Sequence, residues 1–356
     1  MRPGSAGEYW RGRRVFITGT TGFKGAWLAL WLRRLGAESR GFALPPEDRD
    51  ALYTVARVGA LCSTTLADLA DLPALRAAVN EFRPEVVFHL AAQPLVRRGY
   101  AQPLETFATN VQGTCHVLET ARTSPGVRSL IVVTTDKCYR NREWDWGYRE
   151  SDELGGADPY SASKAAAELA VAAWRASWLD RAGVAVATAR AGNVVGGGDW
   201  APDRLIPDIV RAHRDGTELV VRYPDATRPW QHVIDCLNGY LRLAEALAEQ
   251  RDLAGSWNFG PSQQAEASVR QVIGLMAGVM PIPVRLDGAE KAPEAGRLTL
   301  DSTRASKHLG WQPRLDLAQT MQWTADWYRR FLKGEDAQAI TLAQIAEWER
   351  LQGAAG

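Results

Sequence analysis

The chain has 356 residues, enough for one large α/β domain or for two lobes that bury a core without a disulfide or a metal. Its 42 Lys and Arg residues nearly balance 41 Asp and Glu residues, so no basic surface for nucleic acid or an anionic membrane is indicated. Cys62, Cys115, Cys138 and Cys236 form no C-x-x-C pair, which argues against zinc ribbons and disulfide frameworks. With no export signal or membrane-spanning stretch evident, we expect a soluble cytoplasmic protein.

Short apolar strand patterns alternate with helical patterns from residue 14 onward. The strand patterns are "RVFITG", "EVVFHLAA" and "SLIVVTT", and the helical patterns are "GAWLALWLRRLG" and "NVQGTCHVLETAR". Such alternation predicts an α/β fold with a parallel sheet flanked by helices. Beyond "AVATARAGNVVGGGDW" the pattern changes to loops and short elements, which indicates a smaller C-terminal α/β lobe. The stretch from Asp336 is typical of an amphipathic helix.

The first strand is followed by a glycine-rich turn, "GTTGFKG", before a helix begins. Gly19, Gly22 and Gly25 have the spacing G-x-x-G-x-x-G, which allows a tight turn and a close approach of backbone N–H groups to a pyrophosphate. A tight turn without a ligand is the alternative. Because strand, turn and helix occur together, we predict a dinucleotide site in a Rossmann-type doubly wound sheet.

The residues that distinguish NAD from NADP give a mixed signal. An acidic residue for the adenosine ribose is expected about 20 residues after the turn. Ala43 and Leu44 offer no carboxylate there, and Arg40 is close enough in sequence to meet a 2′-phosphate. Asp68 in "LADLADL" could bind the adenine amino group or cap a helix.

Tyr160 and Lys164 are four residues apart in "PYSASK", so a helix would place both side chains on one face. An ammonium group beside a phenol favours the phenolate. We therefore expect Lys164 to lower the pKa of Tyr160 from about 10 toward neutrality, as a general base for a sugar hydroxyl requires. The pattern Y-x-x-x-K alone is common by chance. Following the glycine turn and "VTTDK", it predicts a catalytic pair.

These motifs, in this order, resemble the extended short-chain dehydrogenase/reductase family over nearly the whole chain. The resemblance implies NAD as cofactor, Tyr160 as base, Lys164 as the contact of Tyr160 and of the nicotinamide ribose, and Thr135 as the ligand of the sugar O4. It implies no metal. The cofactor contacts expected besides Tyr160 and Lys164 are Gly19, Thr21, Gly22, Phe23, Lys24, Gly25, Asp68, Leu69, Leu90, Ala91 and Ala92.

Longer blocks, including "TTDKCYRNREWDWGYRE" and "RAGNVVGGGDWAPDRLIPD", resemble the nucleotide-sugar 4,6-dehydratases of this family, in particular those that act on CDP-glucose. The resemblance implies that Tyr160 takes the 4-hydroxyl proton while C4 gives hydride to NAD+. The resulting ketone acidifies the C5 proton. Removal of that proton, protonation of the departing 6-hydroxyl by Asp136 and return of hydride to C6 then complete the cycle.

Lys137 stands where dTDP-glucose relatives carry a glutamate base. It could be the C5 base if desolvation and nearby positive charge lower its pKa. It could instead stay charged and stabilise the C4 enolate, or form a structural ion pair with Asp136. These three roles stay open at this point.

The resemblance also implies substrate contacts. Arg204 and Arg228 suit a sugar diphosphate because guanidinium groups form bidentate hydrogen bonds to phosphate, although each could be an ordinary surface arginine. His232 could equally be a packed core histidine, and packing could also explain Asn110. The expected substrate-binding set is Gln93, Asn110, Asn193, Arg204, Leu205, Arg228 and His232.

Two positions depart from these relatives. Thr20 replaces a histidine inside the glycine turn, which bears on cofactor affinity, and Pro293 replaces a histidine on the substrate side.

The expectations divide the chain into three parts. Residues 1–193 and 232–262 form the predicted NAD-binding Rossmann domain, residues 194–231 and 263–332 form the nucleotide-sugar-binding lobe, and residues 333–356 form a C-terminal helix and tail.

The helix in "ATNVQGTCHVLETAR", and the helix that carries Tyr160 and continues through Trp174 and Trp178, have apolar groups on more than one side. In the family such helices pair between subunits, so we expect a homodimer or homotetramer. Three other functions remain in view. They are an NAD-dependent nucleotide-sugar 4-epimerase, an inverting UDP-N-acetylglucosamine dehydratase, and an NAD-binding regulator, which would be expected to lose Y-x-x-x-K.

Overall fold

The computed structural model describes residues 6–262, 266–287 and 298–353 of the chain. Its centre is a seven-stranded sheet in which all neighbouring strands are parallel. The strands are β1 (Arg14–Thr18), β2 (Glu38–Ala43), β3 (Ser63–Leu66), β4 (Val86–His89), β5 (Ser129–Val133), β6 (Ala185–Ala191), β7 (Asn193–Val195), β8 (Leu219–Val221), β9 (Thr227–His232), β10 (Gly255–Phe259), β11 (Glu266–Ser268) and β12 (Val284–Leu286). The order across the central sheet is β3-β2-β1-β4-β5-β6-β10.

The order of the strands reverses at β1, which has β2 on one side and β4 on the other. In open parallel sheets, ligands bind in the crevice outside the carboxyl ends of the strands at this reversal. Helices cover both faces of the sheet, and the strands at its centre are apolar runs in which every residue of β4 and β5 is buried. The predicted Rossmann-type doubly wound sheet is confirmed, and it places a binding crevice at the ends of β1, β4 and β5.

Helices surround the sheet. They are α1 (Ala6–Trp10), α2 (Phe23–Arg34), α3 (Leu52–Val55), α4 (Leu72–Phe82), α5 (Val96–Ala101), α6 (Pro103–Phe107), α7 (Gly113–Thr123), α8 (Pro159–Trp174), α9 (Asp180–Ala182), α10 (Leu205–Asp215), α11 (Val233–Glu249), α12 (Val269–Ala277), α13 (Thr303–Leu309), α14 (Leu317–Leu332) and α15 (Ala337–Gly353). Within the described ranges, none of the helices combines the length and the apolar character needed to cross a membrane.

Successive residues of β1 point to opposite faces of the sheet and enter two different cores. Val15 and Ile17 belong to the cluster that contains Trp27 of α2, whereas Phe16 belongs to the cluster that contains Leu75 of α4. Because both faces are packed, the position of the turn that follows β1 is fixed from both sides.

Two smaller sheets follow the central one in the chain. β9 lies between β7 and β11, parallel to β7 and antiparallel to β11, and β8 pairs in parallel with β12. These strands lie in or border the segments predicted to form the smaller lobe. β10 returns to the central sheet beside β6. The boundaries between the two parts remain a prediction.

The helix predicted from Asp336 onward is present as α15. It buries Ile340, Ile345 and Trp348. The Trp348 ring meets the ring of Trp31 in α2 edge to face, with 5.4 Å between their centroids. The helix therefore packs against the element that follows the glycine turn.

Two π-helical turns adjoin the helices beside the crevice. Ala108–Gln112 joins α6 to α7, and Arg175–Leu179 follows α8. The helix predicted to continue through Trp174 and Trp178 does so with a π turn: α8 is α-helical to Trp174, and Trp178 lies in the π turn that follows, with 5.3 Å between the two ring centroids. A π turn accommodates an extra residue, so it changes the faces on which the following side chains lie.

Candidate active site

The glycine turn between β1 and α2 leaves no room for side chains. Gly19 has a φ of 79°, a left-handed conformation that favours glycine, and a Cβ there would lie 2.7 Å from the backbone N of Ala91. A Cβ on Gly25 would lie 2.1 Å from the carbonyl oxygen of Gly19. Gly22 is the N-cap of α2, and no side chain caps this helix. The turn therefore presents backbone N–H groups at a helix N-terminus, an arrangement that fits the pyrophosphate of a dinucleotide.

The other residues predicted to contact the cofactor include the segment after β4. The backbone N–H of Leu90 donates to the Thr18 carbonyl at 3.1 Å, and that of Ala91 donates to the Thr18 hydroxyl at 3.2 Å. Thr21 donates its hydroxyl to the carbonyl of Leu44 at 2.8 Å. These bonds hold the β4 segment and the end of β2 against the turn. Ala92 follows Ala91, and Phe23 and Lys24 begin α2.

On the adenosine side, one sequence-based alternative needs correction. Asp68 accepts a hydrogen bond from the backbone N of Ala70 at 2.8 Å, but Asp71 caps α4, so the helix-cap alternative for Asp68 is wrong. Arg40 lies in the middle of β2, and its guanidinium donates to Glu81 at 2.6 Å in an exposed ion pair. Leu69 is buried beside this segment.

Thr20 is completely buried, and its hydroxyl lies 3.2 Å from that of Thr64. A Cβ on Gly41 of β2 would lie 2.4 Å from the Thr20 hydroxyl oxygen. The Thr20 side chain therefore packs under the turn against β2 and β3. Pro293 lies outside the described residues.

The helix α8 carries the predicted catalytic pair. Asp158 is its N-cap and accepts hydrogen bonds from the backbone N–H groups of Tyr160 and Ser161 at 2.9 and 3.1 Å. Tyr160 and Lys164 are both buried, one helical turn apart. The Lys164 ammonium donates to the carbonyl of Val133 at 3.1 Å. This bond ties the start of α8 to the end of β5.

The electrostatics of the pair differ from the sequence-based expectation. Burial raises the pKa of Tyr160 to about 12, although a hydrogen bond with Thr135 and the charge of Arg204 oppose the rise. Burial and the nearby ammonium of Lys24 lower the pKa of Lys164 to about 8. The expected fall of the Tyr160 pKa toward neutrality is therefore wrong for the protein alone, because burial outweighs the neighbouring charges.

Thr135 and Asp136 follow β5 directly. The Thr135 hydroxyl donates to Asp136 Oδ1 at 2.9 Å. Burial raises the pKa of Asp136, although the charge of Lys137 and the hydrogen bond from Thr135 oppose the rise. A carboxyl group with a raised pKa retains a proton and can donate it.

Gly192 is a neighbour of Asp136 that the sequence analysis missed. A Cβ at this position would lie 2.8 Å from Asp136 Oδ2. The absence of a side chain at Gly192 therefore makes room for the carboxyl group, and the signal available in the sequence was the glycine just before Asn193.

Lys137 is half-buried, in the short 3-10 turn Asp136–Cys138. Within the described part of the chain, no carboxylate oxygen lies within the 4.0 Å of the Lys137 ammonium that an ion pair requires. The alternative of a structural ion pair with Asp136 is therefore wrong. The other two roles stay open.

A buried network missed by the sequence analysis supports α8. Glu168, two turns beyond Tyr160 on the same face, accepts bonds from Arg190 Nε and one terminal nitrogen at 3.0 and 2.7 Å. It also accepts bonds from the hydroxyls of Thr134, Thr188 and Ser256. Burial opposes ionisation, but the bonds and charge of Arg190 outweigh it and lower the pKa of Glu168. The continuation of Y-x-x-x-K to "AAAE" was the available signal.

Asn110 and Gln93 are both buried and bond to the protein itself. The Asn110 amide accepts from the backbone N of Gln93 at 2.8 Å and donates to the carbonyl of Gln93 and the hydroxyl of Ser163 at 3.1 and 2.9 Å. The Gln93 side chain bonds Thr106 and the backbone of Leu95. Both side chains hold the segment after β4 against α8, and their contacts with substrate remain a prediction.

The two arginines that are predicted to bind the substrate diphosphate carry charges near the catalytic residues. Arg204 lies just before α10 and donates to Asp199 at 2.8 Å. Its charge acts on Tyr160, and that of the buried Arg228 acts on Asp136. Two further predicted contacts, Asn193 and Leu205, begin β7 and α10.

His232 belongs to the core, as the alternative reading of the sequence stated. It is completely buried, with its ring 5.8 Å from that of Trp27 and 5.9 Å from that of Trp323, between centroids. Its Nδ1 accepts the backbone N–H of Ile234 at 3.3 Å, and burial lowers the pKa of His232 to about 3. The prediction of a substrate contact is wrong, because tryptophan rings enclose the imidazole.

Comparison with known proteins agrees with this geometry. A family model described as GDP-mannose 4,6 dehydratase matches residues 16–324. The chain is 43% identical to the CDP-glucose 4,6-dehydratase of Salmonella typhimurium, over 96% of this chain and 97% of that protein. It is 31% identical to a dTDP-glucose 4,6-dehydratase of Streptomyces griseus, over 74% of this chain and 76% of that protein.

Among solved structures, a UDP-glucose-4-epimerase from Stenotrophomonas maltophila with bound NAD superposes with a TM-score of 0.79 at 22% identity. The match covers 91% of this chain and all of that chain. At this identity the likeness shows the fold. The glycine turn, the Y-x-x-x-K helix and the family match agree, and the chain belongs to the GDP-mannose 4,6-dehydratase family as an NAD-dependent nucleotide-sugar 4,6-dehydratase.

Proposed function

We propose that the enzyme converts CDP-glucose to CDP-4-keto-6-deoxyglucose. The nucleotide follows from the 43% identity to a CDP-glucose 4,6-dehydratase along nearly the full length of both chains. The elimination of water is supported by the buried carboxyl of Asp136 beside Thr135. A 4-epimerase shares Tyr160 and Lys164 but has no use for an acid at the 6-hydroxyl. Asp136 is therefore the observation that carries the proposal.

In this proposal Tyr160 takes the proton of the 4-hydroxyl, and Thr135 binds the same oxygen. NAD+, held at the glycine turn, supplies the hydride acceptor and a positive charge that favours the Tyr160 phenolate. Lys164 bridges the helix and the end of β5 through the Val133 carbonyl and so holds Tyr160 in register with Thr135.

Asp136 is the proton donor for elimination. Once C4 is a ketone, the C5 proton is acidic and can leave, and the 6-hydroxyl must gain a proton to depart as water. The raised pKa of Asp136 favours the protonated form that this role needs, and Gly192 leaves space beside the carboxyl group. Hydride then returns to C6, so the cofactor ends in its starting state.

Lys137 acts on C5 or on the enolate. With the ion pair excluded, its half-buried ammonium is free of carboxylate partners within the described ranges, and its charge acts on Asp136. Either role requires Lys137 after oxidation at C4 and before loss of water. Lys137→Met should therefore still reduce NAD+ with substrate, seen as absorbance at about 340 nm, but fail to release water. Unimpaired dehydration by this variant would refute both roles.

The substrate diphosphate is proposed to lie between Arg204 and Arg228, whose charges act on Tyr160 and Asp136. Guanidinium groups suit this ligand because they bind phosphate oxygens through paired hydrogen bonds. Asn193 at the start of β7 is the third proposed contact.

The decisive test compares sugars. Purified protein with NAD+ is incubated separately with CDP-, dTDP-, UDP- and GDP-glucose and with UDP-N-acetylglucosamine, and the products are weighed by mass spectrometry. Loss of one water from CDP-glucose alone, without net NADH, is the expected result. Loss of water from a sugar that carries another nucleotide would show that the proposed nucleotide, CDP, is wrong. An unchanged mass with an isomerised sugar would identify an epimerase.

We propose a homodimer formed through α6 and α8. Leu104 of α6 and Leu169 of α8 are 86% and 62% exposed, and Trp178, in the π turn that follows α8, is 47% exposed. Large apolar side chains on packed, adjacent helices are typical of an interface with another copy. Leu169→Glu should halve the mass measured by light scattering, whereas Leu275→Glu on α12 should leave it unchanged.

A cytoplasmic location remains part of the proposal, supported by four cysteines that are all free thiols. The product, a 4-keto-6-deoxy sugar, suits deoxysugar synthesis for a surface polysaccharide such as an O-antigen.

A further inference from the structure

Lys24 has a position that a general contact with the cofactor does not explain. It is the second residue of α2, directly after the glycine turn. Its ammonium donates to the hydroxyl of Tyr240 in α11 at 3.4 Å and lies 5.7 Å from the centre of that ring. Tyr240 is completely buried. The lysine side chain is thus held inward, under the crevice.

This position brings a second cationic group, besides Lys164, close to the catalytic pair. The charge of Lys24 acts on Lys164, and Tyr240 in turn interacts with Tyr160. The helix α11, which carries Tyr240, packs against both α2 and β5, the strand that precedes Thr135. The contact between Lys24 and Tyr240 therefore lies between the glycine turn and the end of β5, to which Lys164 is bonded.

The dinucleotide has to span the same interval. Its pyrophosphate binds at the glycine turn, and its reacting ring has to reach the carbon whose hydroxyl Tyr160 deprotonates. The nicotinamide ring is positively charged in NAD+ and neutral in NADH. A fixed positive charge in the part of the crevice that receives the ring therefore acts differently on the two forms.

We propose that Lys24, held by Tyr240, sets the balance between oxidised and reduced cofactor in the site. The Lys24 ammonium disfavours the charged ring of NAD+ and leaves NADH unaffected, so it favours hydride transfer from C4 of the sugar. It also favours retention of NADH until the hydride returns to C6. Lys24 acts only through its positive charge. It takes no proton in the reaction and forms no covalent bond. The inference rests on the NAD dependence of the proposed function and is independent of the sugar and its base.

The test measures cofactor binding without substrate. Dissociation constants for NAD+ and NADH are determined by calorimetry for the wild type, Lys24→Met and Lys24→Arg. Any contact of Lys24 with the pyrophosphate affects both forms equally and cancels in the ratio of the two constants. Removing one unit charge at an effective dielectric of about 20 should lower the ratio Kd(NAD+)/Kd(NADH) about tenfold. Lys24→Arg, which keeps the charge, should retain most of the wild-type ratio.

Two further variants sharpen the result. Tyr240→Phe removes the hydroxyl that holds the ammonium and should shift the ratio in the same direction as Lys24→Met, by less. Lys333→Met, at an exposed lysine after α14, should leave it unchanged. Lys24→Gln serves as a second neutral variant if Lys24→Met does not fold. An unchanged ratio in the neutral variants, or equal weakening of both forms, would overturn the inference. A wild type that binds neither form would overturn the NAD-dependent function with it.

Discussion

Replacing Glu168 by glutamine removes its charge. This change should destabilise the protein more than the same replacement of any surface glutamate. The Glu168 side chain is 2% exposed, as is that of Arg190, and the two are 2.7 Å apart. Glu168→Gln leaves the guanidinium of Arg190 buried without a counter-charge, and removing one partner of such a pair costs about 3–5 kcal/mol. The free energy of unfolding, measured by urea titration with circular dichroism, should fall by about this amount.

The matched control is Glu347→Gln, which breaks an exposed i,i+3 pair with Arg350 and should leave the free energy of unfolding nearly unchanged, because solvent screens the pair. The double variant Glu168→Gln with Arg190→Met should be less destabilised than the sum of the two single changes, because no buried charge is left unpaired. A loss below about 1 kcal/mol for Glu168→Gln, or strict additivity in the double variant, would refute the role given to this pair.

Three other predictions follow from single positions. Gly25→Ala, whose Cβ would lie 2.1 Å from a backbone oxygen, should weaken NAD+ binding measured by calorimetry by about ten- to hundredfold, whereas Gly274→Ala, with open space around its Cβ, should not. Gly192→Ala should slow water loss about tenfold by displacing Asp136 while leaving NAD+ affinity unchanged; equal effects on both would contradict this assignment. Burial lowers the pKa of His232 to about 3 against about 6.5 unfolded, so its stabilising contribution is full above pH 6.5 and is lost toward pH 3. Between pH 6.5 and 5 the wild type should lose about 2 kcal/mol more than His232→Asn in urea titrations, and parallel losses would refute the buried neutral imidazole.

The fold and the catalytic motifs were predictable because their signals are local. The glycine turn occupies seven consecutive residues between a strand and a helix, and Tyr160 and Lys164 are one helical turn apart. Their spacing alone determines that they share a face. The alternation of strands and helices likewise determines a parallel sheet, whatever the details of packing.

The roles that sequence reasoning missed or misplaced depend on partners far away in the chain. Arg40 is engaged by Glu81, 41 residues later, and Lys24 by Tyr240, 216 residues later. No local sequence pattern predicts such pairs. His232 shows the same limit, since a histidine after a strand suits a binding site as well as a core until the surrounding tryptophans are known.

The π turn Ala108–Gln112 has a consequence for how this segment tolerates insertions and deletions. Asn110 lies within it and connects the segment after β4 to Ser163 of α8. In a regular helix each residue advances about 100° around the axis, so deleting one residue here would turn one flanking helix relative to the other by that angle. Either Asn110 or the buried face of α7 would then point the wrong way. The length of this segment therefore cannot change by even one residue, whichever amino acids occupy it.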